Sequence, residues 1–261
     1  MATKKYILTL NSIRNKYENP PSWIRITTIT MLCKFLEGID LNKVREAFAD
    51  GPIRIRRKGA LTNGFEWTLR ESDKAFYNQV TIGYQDAYST KSIKVFPNGS
   101  FQVAGCSDLR DCKRIVRQLS FLMKMILNVT LTMDHFRIVM INTNFSMNAH
   151  VDLSRVIETL SAEKRFVVSF NPDRYSAVKV KFHPAENTKQ VTASIFSTGK
   201  IIVTGAETLR EIALAYEVLN EKLYPTKLES TTEETFDIFK GVKFDKLVQT
   251  IEADGQSTRF S

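Results

Sequence analysis

Two stretches of this chain, one hundred residues apart, follow the same plan. One is "KVFPNGSFQVAGCSDLRDCKRIVRQLSFL", from Lys94; the other is "SIFSTGKIIVTGAETLREIALAYEVLNEKL", from Ser194. In register, Phe96 meets Phe196, Gly99 meets Gly199, Val103 meets Val203, Gly105 meets Gly205, Leu109 meets Leu209 and Arg110 meets Arg210. Such a run of identities at one offset points to an internal duplication. Each copy has its own local grammar. "SIKVF" and "TASIF" are short β-prone runs, and "PNGS" and "STGK" place glycine where a tight hairpin needs positive φ. "SFQVAG" and "KIIVTG" return, and a helix follows. Its apolar stripe is Leu209, Ile212, Tyr216, Leu219 and Leu223 in the second copy, and Cys112, Ile115, Val116, Leu119, Leu122 and Ile126 in the first.

A fainter echo precedes these. "IDLNKVREAF" and "VDLSRVIETL" each put an aspartate, Asp40 or Asp152, before an apolar-periodic run, the pattern of a capped helix. Strand-like segments lead into both, "WIRITTITMLCKF" and "FRIVMINTNFSM", and "NQVTIGY" and "SAVKVKF" supply further strands. Each half therefore reads strand, short helix, several strands, long helix. Helices covering one face of an antiparallel sheet leave the other face open. The expected class is α+β, with one curved antiparallel sheet built from two repeats about a pseudo-two-fold axis. The expected divisions are an N-terminal extension over 1–22, repeats over 23–130 and 131–224, and a C-terminal extension over 225–261.

Charge adds a partner class. The net charge is +9, while residues 225–261 hold five basic and seven acidic residues, so the body before them carries the whole excess. A basic body favours a polyanion. Three cysteines, Cys33, Cys106 and Cys112, form no even framework and suggest free thiols in a reducing compartment. No secretory h-region and no apolar run of membrane-spanning length is evident.

With these residues in view, "VFPNGSFQVAGCSDLRDCKRI" and "IFSTGKIIVTGAETLREI" resemble the two half-repeats of TATA-box-binding proteins, and the order of elements is similar to that family's saddle over roughly residues 23–224. The resemblance implies a transcription initiation factor that binds duplex DNA in the minor groove at a promoter and bends it. In that family phenylalanine wedges near each end of a concave sheet kink the duplex. It also implies a B-type general initiation factor and RNA polymerase machinery as partners, action as a monomer on DNA, and no cofactor or metal. Divergence and unusual flanks place the resemblance nearest to members encoded by large double-stranded DNA viruses, which implies the host nucleus, a cytoplasmic viral factory or the virion as location.

Phe96 and Phe196 stand immediately before their turns, where a ring on the open face is available to a base step; the alternative is that both rings cap the core side. Their wedge partners would be Tyr175 and, by the shared spacing of "YNQV" and "YSAV", Tyr77, with Phe76 beside it; the alternative is a surface tyrosine at a strand start. A minor-groove floor wants flat, uncharged or weakly polar side chains, because that groove offers mostly acceptors. Alternation in "IIVTG" puts Ile202 and Thr204 on one face, with Gln102 and Ala104 as counterparts. The family's asparagines would fall near Ile24 and at Met140. Asn142 and Asn144 share the face of Met140, and Ile26 and Thr28 flank the same surface in the first half. Asn142 as a plain edge residue is the alternative. Lys94, Arg174, Lys179, Lys181, Lys189 and Lys200 are the expected phosphate contacts, each alone no more than solvated surface. "FNPDRY" keeps an acid, Asp173, where the family holds its B-type factor.

Other classes fit less well. "GKIIVTG" lacks the order of a phosphate-binding P-loop, and His135, His150 and His183 have no metal spacing, so no enzyme is expected. The competing reading is a protein-interaction scaffold that keeps the sheet and has lost DNA binding.

Overall fold

A computed structural model describes residues 2–55, 64–70, 78–87 and 89–232. In chain order the elements are α1 (Ala2–Arg14), β1 (Arg25–Phe35), α2 (Leu41–Glu46), β2 (Ile53–Ile55), β3 (Phe65–Leu69), β4 (Val80–Asp86), β5 (Thr90–Val95), β6 (Ser100–Cys106) and α3 (Leu109–Leu127). There follow β7 (Met133–Ser146), β8 (Ala149–Val151), α4 (Leu153–Ser161), β9 (Val167–Asn171), β10 (Tyr175–Phe182), β11 (Val191–Ile195), β12 (Lys200–Ala206), α5 (Leu209–Leu223) and β13 (Lys227–Ser230). By compactness the chain divides into Thr28–Met140, called here the first-repeat unit, and Met1–Thr27 with Ile141–Ser261, the second-repeat unit.

In the first-repeat unit the strands lie in the order β2-β3-β4-β5-β6-β1, each antiparallel to its neighbour. Alternation decides what each strand buries. Ile82 pairs with Ile93, Val80 with Val95 and Val95 with Phe101, and all of them are buried. Helix α3 packs against β6 and supplies Cys112, Ile115, Leu119 and Leu122 to that face. The residues between the core positions, such as Ser92, Lys94, Gln102 and Ala104, keep partial exposure on the other side. Cys33, Cys106 and Cys112 are unbridged and buried.

In the second-repeat unit the order is β7-β12-β11-β10-β9, again antiparallel throughout. Val178, Val180 and Phe182 of β10 and Val191, Ala193 and Ile195 of β11 go into the core, on the face where α4 packs on β9 and β10 and α5 on β12. Lys179 and Lys181, one residue out of phase, are exposed. The N-terminal extension folds as α1 and packs on α5. Ile7, Leu10 and Ile13 are buried, Arg14 Nε donates to the Pro21 carbonyl at 2.9 Å, and Lys16 pairs with Glu217 at 2.6 Å. Past α5, β13 pairs with β8.

The sequence echoes reappear as local geometry. Asp40 caps α2 through the Asn42 and Lys43 amides, and Asp152 caps α4 through the Ser154 and Arg155 amides. The β5–β6 and β11–β12 turns close alike: the Phe96 amide donates to the Ser100 carbonyl at 2.9 Å and the Phe196 amide to the Lys200 carbonyl at 3.0 Å. Each turn ends on a glycine in the left-handed region, Gly99 at φ 78° and Gly199 at φ 77°. A Cβ there would collide with the Glu37 carbonyl oxygen in one case and the Ala149 carbonyl oxygen in the other. Gly199→Ala is therefore expected to destabilise the protein by at least about 1–2 kcal/mol, the cost of the left-handed conformation before any clash is relieved. A thermal melt that matches wild type would remove this reading of the turn.

Candidate nucleic-acid interface

The site begins with which face each strand leaves uncovered. In the second-repeat unit, Asn144 lies opposite Ile202 and Ser146 opposite Lys200, while Thr143 and Val203 face each other in the core. Asn142, Asn144, Ile202 and Thr204 thus share the face away from the helices, with Ile202 exposed and the other three half-buried. Further out on that face come Thr192 and Ser194 of β11, then Lys181 and Lys179 opposite them on β10. The floor is uncharged and the flank is basic. Thr27 crosses to β7, donating from Oγ1 to the Asn142 carbonyl at 3.0 Å.

At the turn end of this face, two rings meet. Ile195 is the last core residue of β11, so Phe196 falls on the uncovered side, half-buried. Tyr175, exposed, lies with its ring centroid 5.6 Å from that of Phe196 and edge-on at 69°. Lys179 Nζ stands 4.5 Å from the Tyr175 centroid, a cation–π geometry that keeps a cation at the rim of the pair. A groove beside the rings is lined by Arg25, Asn144, Thr198, Lys200 and Ile202. Arg174 is exposed in the β9–β10 turn, next to exposed Asp173.

In the first-repeat unit, Phe96 follows the buried Val95 just as Phe196 follows Ile195, and is likewise half-buried. Lys94 pairs with Gln102 and with Thr81 on the uncovered face. Arg70, which the sequence reading passed over, lies over Gly83, where any side chain would run into Thr68 and the Arg70 guanidinium. Tyr77 and Phe76 lie outside the described residues.

The floor of this unit corrects one expectation. Thr30 lies opposite Ala104, Leu32 opposite Gln102 and Lys34 opposite Ser100. By this register Thr30 and Leu32 occupy in β1 the places of Asn142 and Asn144 in β7, and Thr28, half-buried, the place of Met140. Ile24, near which the family's asparagine is expected, precedes the strand and is buried, as is Thr30. The offset between β1 and β7 is that between the caps Asp40 and Asp152, and carrying that echo back along the strands would have found Thr30 and Leu32. Ile26 is half-buried at the start of β1. Lys189 stands apart from the other basic residues: its Nζ pairs with Glu207 at 2.5 Å and its amide donates to Glu211 at 2.9 Å, so it is tied to the start of α5.

Among the described residues no group of three or more His, Cys, Asp or Glu side chains could hold a metal ion, and no helix is long and apolar enough to cross a membrane. The uncovered face presents rings, amides and hydroxyls on a sheet, with cations at its edge.

The comparisons agree on a family direction. Residues 135–226 match the family model described as transcription factor TFIID, or TATA-binding protein. A TATA-box-binding protein-like protein of Acanthamoeba polyphaga mimivirus is 27% identical over 239 residues, covering 77% of this chain. The chain spans 65% of that relative's length. Among solved structures, Methanococcus jannaschii TBP superposes with a TM-score of 0.55 at 13% identity, over 77% of this chain and 98% of that one. The last likeness shows the fold: an antiparallel sheet with flanking helices that resembles the saddle of TATA-binding proteins. The chain is thus similar, at a distance, to TATA-box-binding-like proteins of viral and archaeal origin.

Proposed function

We propose that this chain binds duplex DNA in the minor groove through its uncovered sheet faces, bends it, and acts in transcription initiation, its two repeats being the halves of a pseudo-two-fold saddle. The observation that carries the proposal is the Phe196–Tyr175 ring pair at the end of an uncharged floor, with Lys179 beside it. A wedge needs a ring that is off the core and close to the groove floor; Phe196 meets the first condition by strand alternation and the second by lining the same groove as Asn144 and Ile202. Phe96 takes the same role in the other repeat, and Tyr77, outside the described residues, is its wedge partner by sequence spacing alone. The floor is Ile26, Thr28, Ala104, Met140, Asn142, Asn144, Ile202 and Thr204, extended by the half-buried Leu32 and Gln102. Lys94, Arg174, Lys179, Lys181 and Lys200 hold phosphates, while Lys189, already paired with Glu207, contributes less. The exposed turn holding Asp173 is the contact for a B-type initiation factor. The repeated element order and the family match support the whole reading.

The experiment is duplex binding by the purified chain across a salt series. Five phosphate contacts give log K falling against log salt with a slope of about −4 to −5. A slope near zero, or no binding to any duplex at low salt, would leave the scaffold reading in its place.

A further inference from the structure

The amide of Asn144 is placed to do something that an apolar or hydroxyl floor does not. It sits on the uncovered face of β7 opposite Ile202 and lines the groove shared with Arg25, Phe196, Thr198 and Lys200. Its Oδ1 is shielded from solvent and has no hydrogen-bond partner. A buried acceptor without a donor costs roughly 1–3 kcal/mol, and folded proteins keep few of them. At a binding surface such an atom is satisfied by the ligand. In the minor groove A·T and T·A pairs present acceptors alone, and the one base-edge donor is the exocyclic amino group of guanine. Rotation about the Cβ–Cγ bond of asparagine is broad and roughly two-fold, so Oδ1 can be turned to the groove.

We infer that Asn144 is a specificity-determining residue that admits a G·C pair into the half-site read by the second repeat, its Oδ1 accepting a hydrogen bond from the guanine 2-amino group. This rests on the duplex-binding proposal above. Without an acceptor, that amino group would be covered by side chains and left unpaired, which is how a floor of alkyl groups excludes G·C. At the same level of the first repeat β1 carries Leu32, and the amide, Gln102, is on β6. The two half-sites therefore offer their acceptors from different strands, and a preferred duplex need not be symmetric in where it tolerates G·C.

Inosine tests this directly, because it differs from guanine in the minor groove only by lacking the 2-amino group. A duplex selected by the purified 261-residue chain is scanned one base pair at a time with A·T, G·C and I·C. At one position wild type is expected to bind G·C about five- to tenfold more tightly than I·C, the size of one hydrogen bond to a neutral partner. In Asn144→Leu, which copies the residue present in the first repeat, that ratio falls to one or below at that position, while Gln102→Leu leaves it unchanged there. Wild type that binds I·C as tightly as G·C everywhere overturns the inference, as does an Asn144→Leu variant, folded by its melting curve, that keeps the ratio. A wild-type chain that binds no duplex overturns the parent proposal instead, so the two failures are told apart.

Discussion

Replacing Phe96 and Phe196 together by alanine is expected to lower duplex affinity by roughly 30-fold or more and to abolish the bend, while leaving the fold intact. Stacking of a base on an aromatic side chain contributes about 1–3 kcal/mol, and two rings are removed. The fold should survive because neither ring fills the core. Val95 and Ile195, the residues before them, are fully buried and do that work, whereas Phe96 and Phe196 are half-buried on the uncovered side. The two singles should differ. Phe196→Ala also strips Tyr175 of its edge-on neighbour, leaving a lone tyrosine whose hydroxyl is poorly suited to lie between bases. Fluorescence anisotropy for affinity and energy transfer between end-labelled strands for the bend separate the two effects. Unchanged affinity in the double variant removes the wedge assignment, whatever the bend does.

Much of what places those rings could be read from the sequence, and the reason is physical. The turns announce themselves because positive φ at Gly99 and Gly199 has few residue solutions. The helix starts announce themselves because Asp40 and Asp152 satisfy amides that nothing else nearby satisfies. The alternation that puts Ile202 and Thr204 outward is a property of the strand alone. What could not be read depends on partners distant in sequence. Helix α1 has no acidic residue in its first turn, and its buried positions are separated by threonine, asparagine and serine. It is held by contact with α5, nearly two hundred residues away, which no local pattern reports. That Thr28, four residues past Ile24, is the counterpart of Met140 could not be read, because the β-branched run "IRITTIT" mixes isoleucine and threonine on one face and marks no register by itself. Only the pairing with β6 fixes it. Asn142 and Asn144 were legible as a face, yet the unpartnered oxygen of Asn144 was visible only once β12 stood beside it.

The second large effect lies on the helix side, where a lysine occupies a core position. Lys91 points inward opposite Tyr84 in a row otherwise apolar, and in the second repeat the residue one hundred positions on is the buried Val191. Lys91 Nζ has no exposure. It meets Asp111 Oδ2 at 2.9 Å, donates to Ser89 Oγ at 2.6 Å and lies 5.4 Å from the Tyr84 ring centroid. Asp111 also takes Arg114 at 2.8 Å and the Ser107 amide at 3.0 Å. Removing one member of such a pair strands the other, so Asp111→Ala should cost about 3–5 kcal/mol. Lys91→Val should cost far less, because Asp111 keeps Arg114 and the Ser107 amide, and valine already fills this place in the other repeat. The double variant should recover part of the Asp111→Ala loss, and a double-mutant cycle in denaturant measures that coupling. Acid gives an independent check. Burial opposes ionisation of Asp111, but the hydrogen bonds from Arg114, Ser107 and Lys91 together hold its pKa below the ordinary carboxylate value. A depressed folded pKa means that the stabilisation is complete above the unfolded value, about 3.9 for aspartate, and is lost as pH falls through the folded one. The stability gap between wild type and Asp111→Ala should therefore be constant near neutrality and close progressively below about pH 4. A gap that widens on acidification, or Lys91→Val as damaging as Asp111→Ala, would mean that the carboxylate does not serve to hold the buried ammonium.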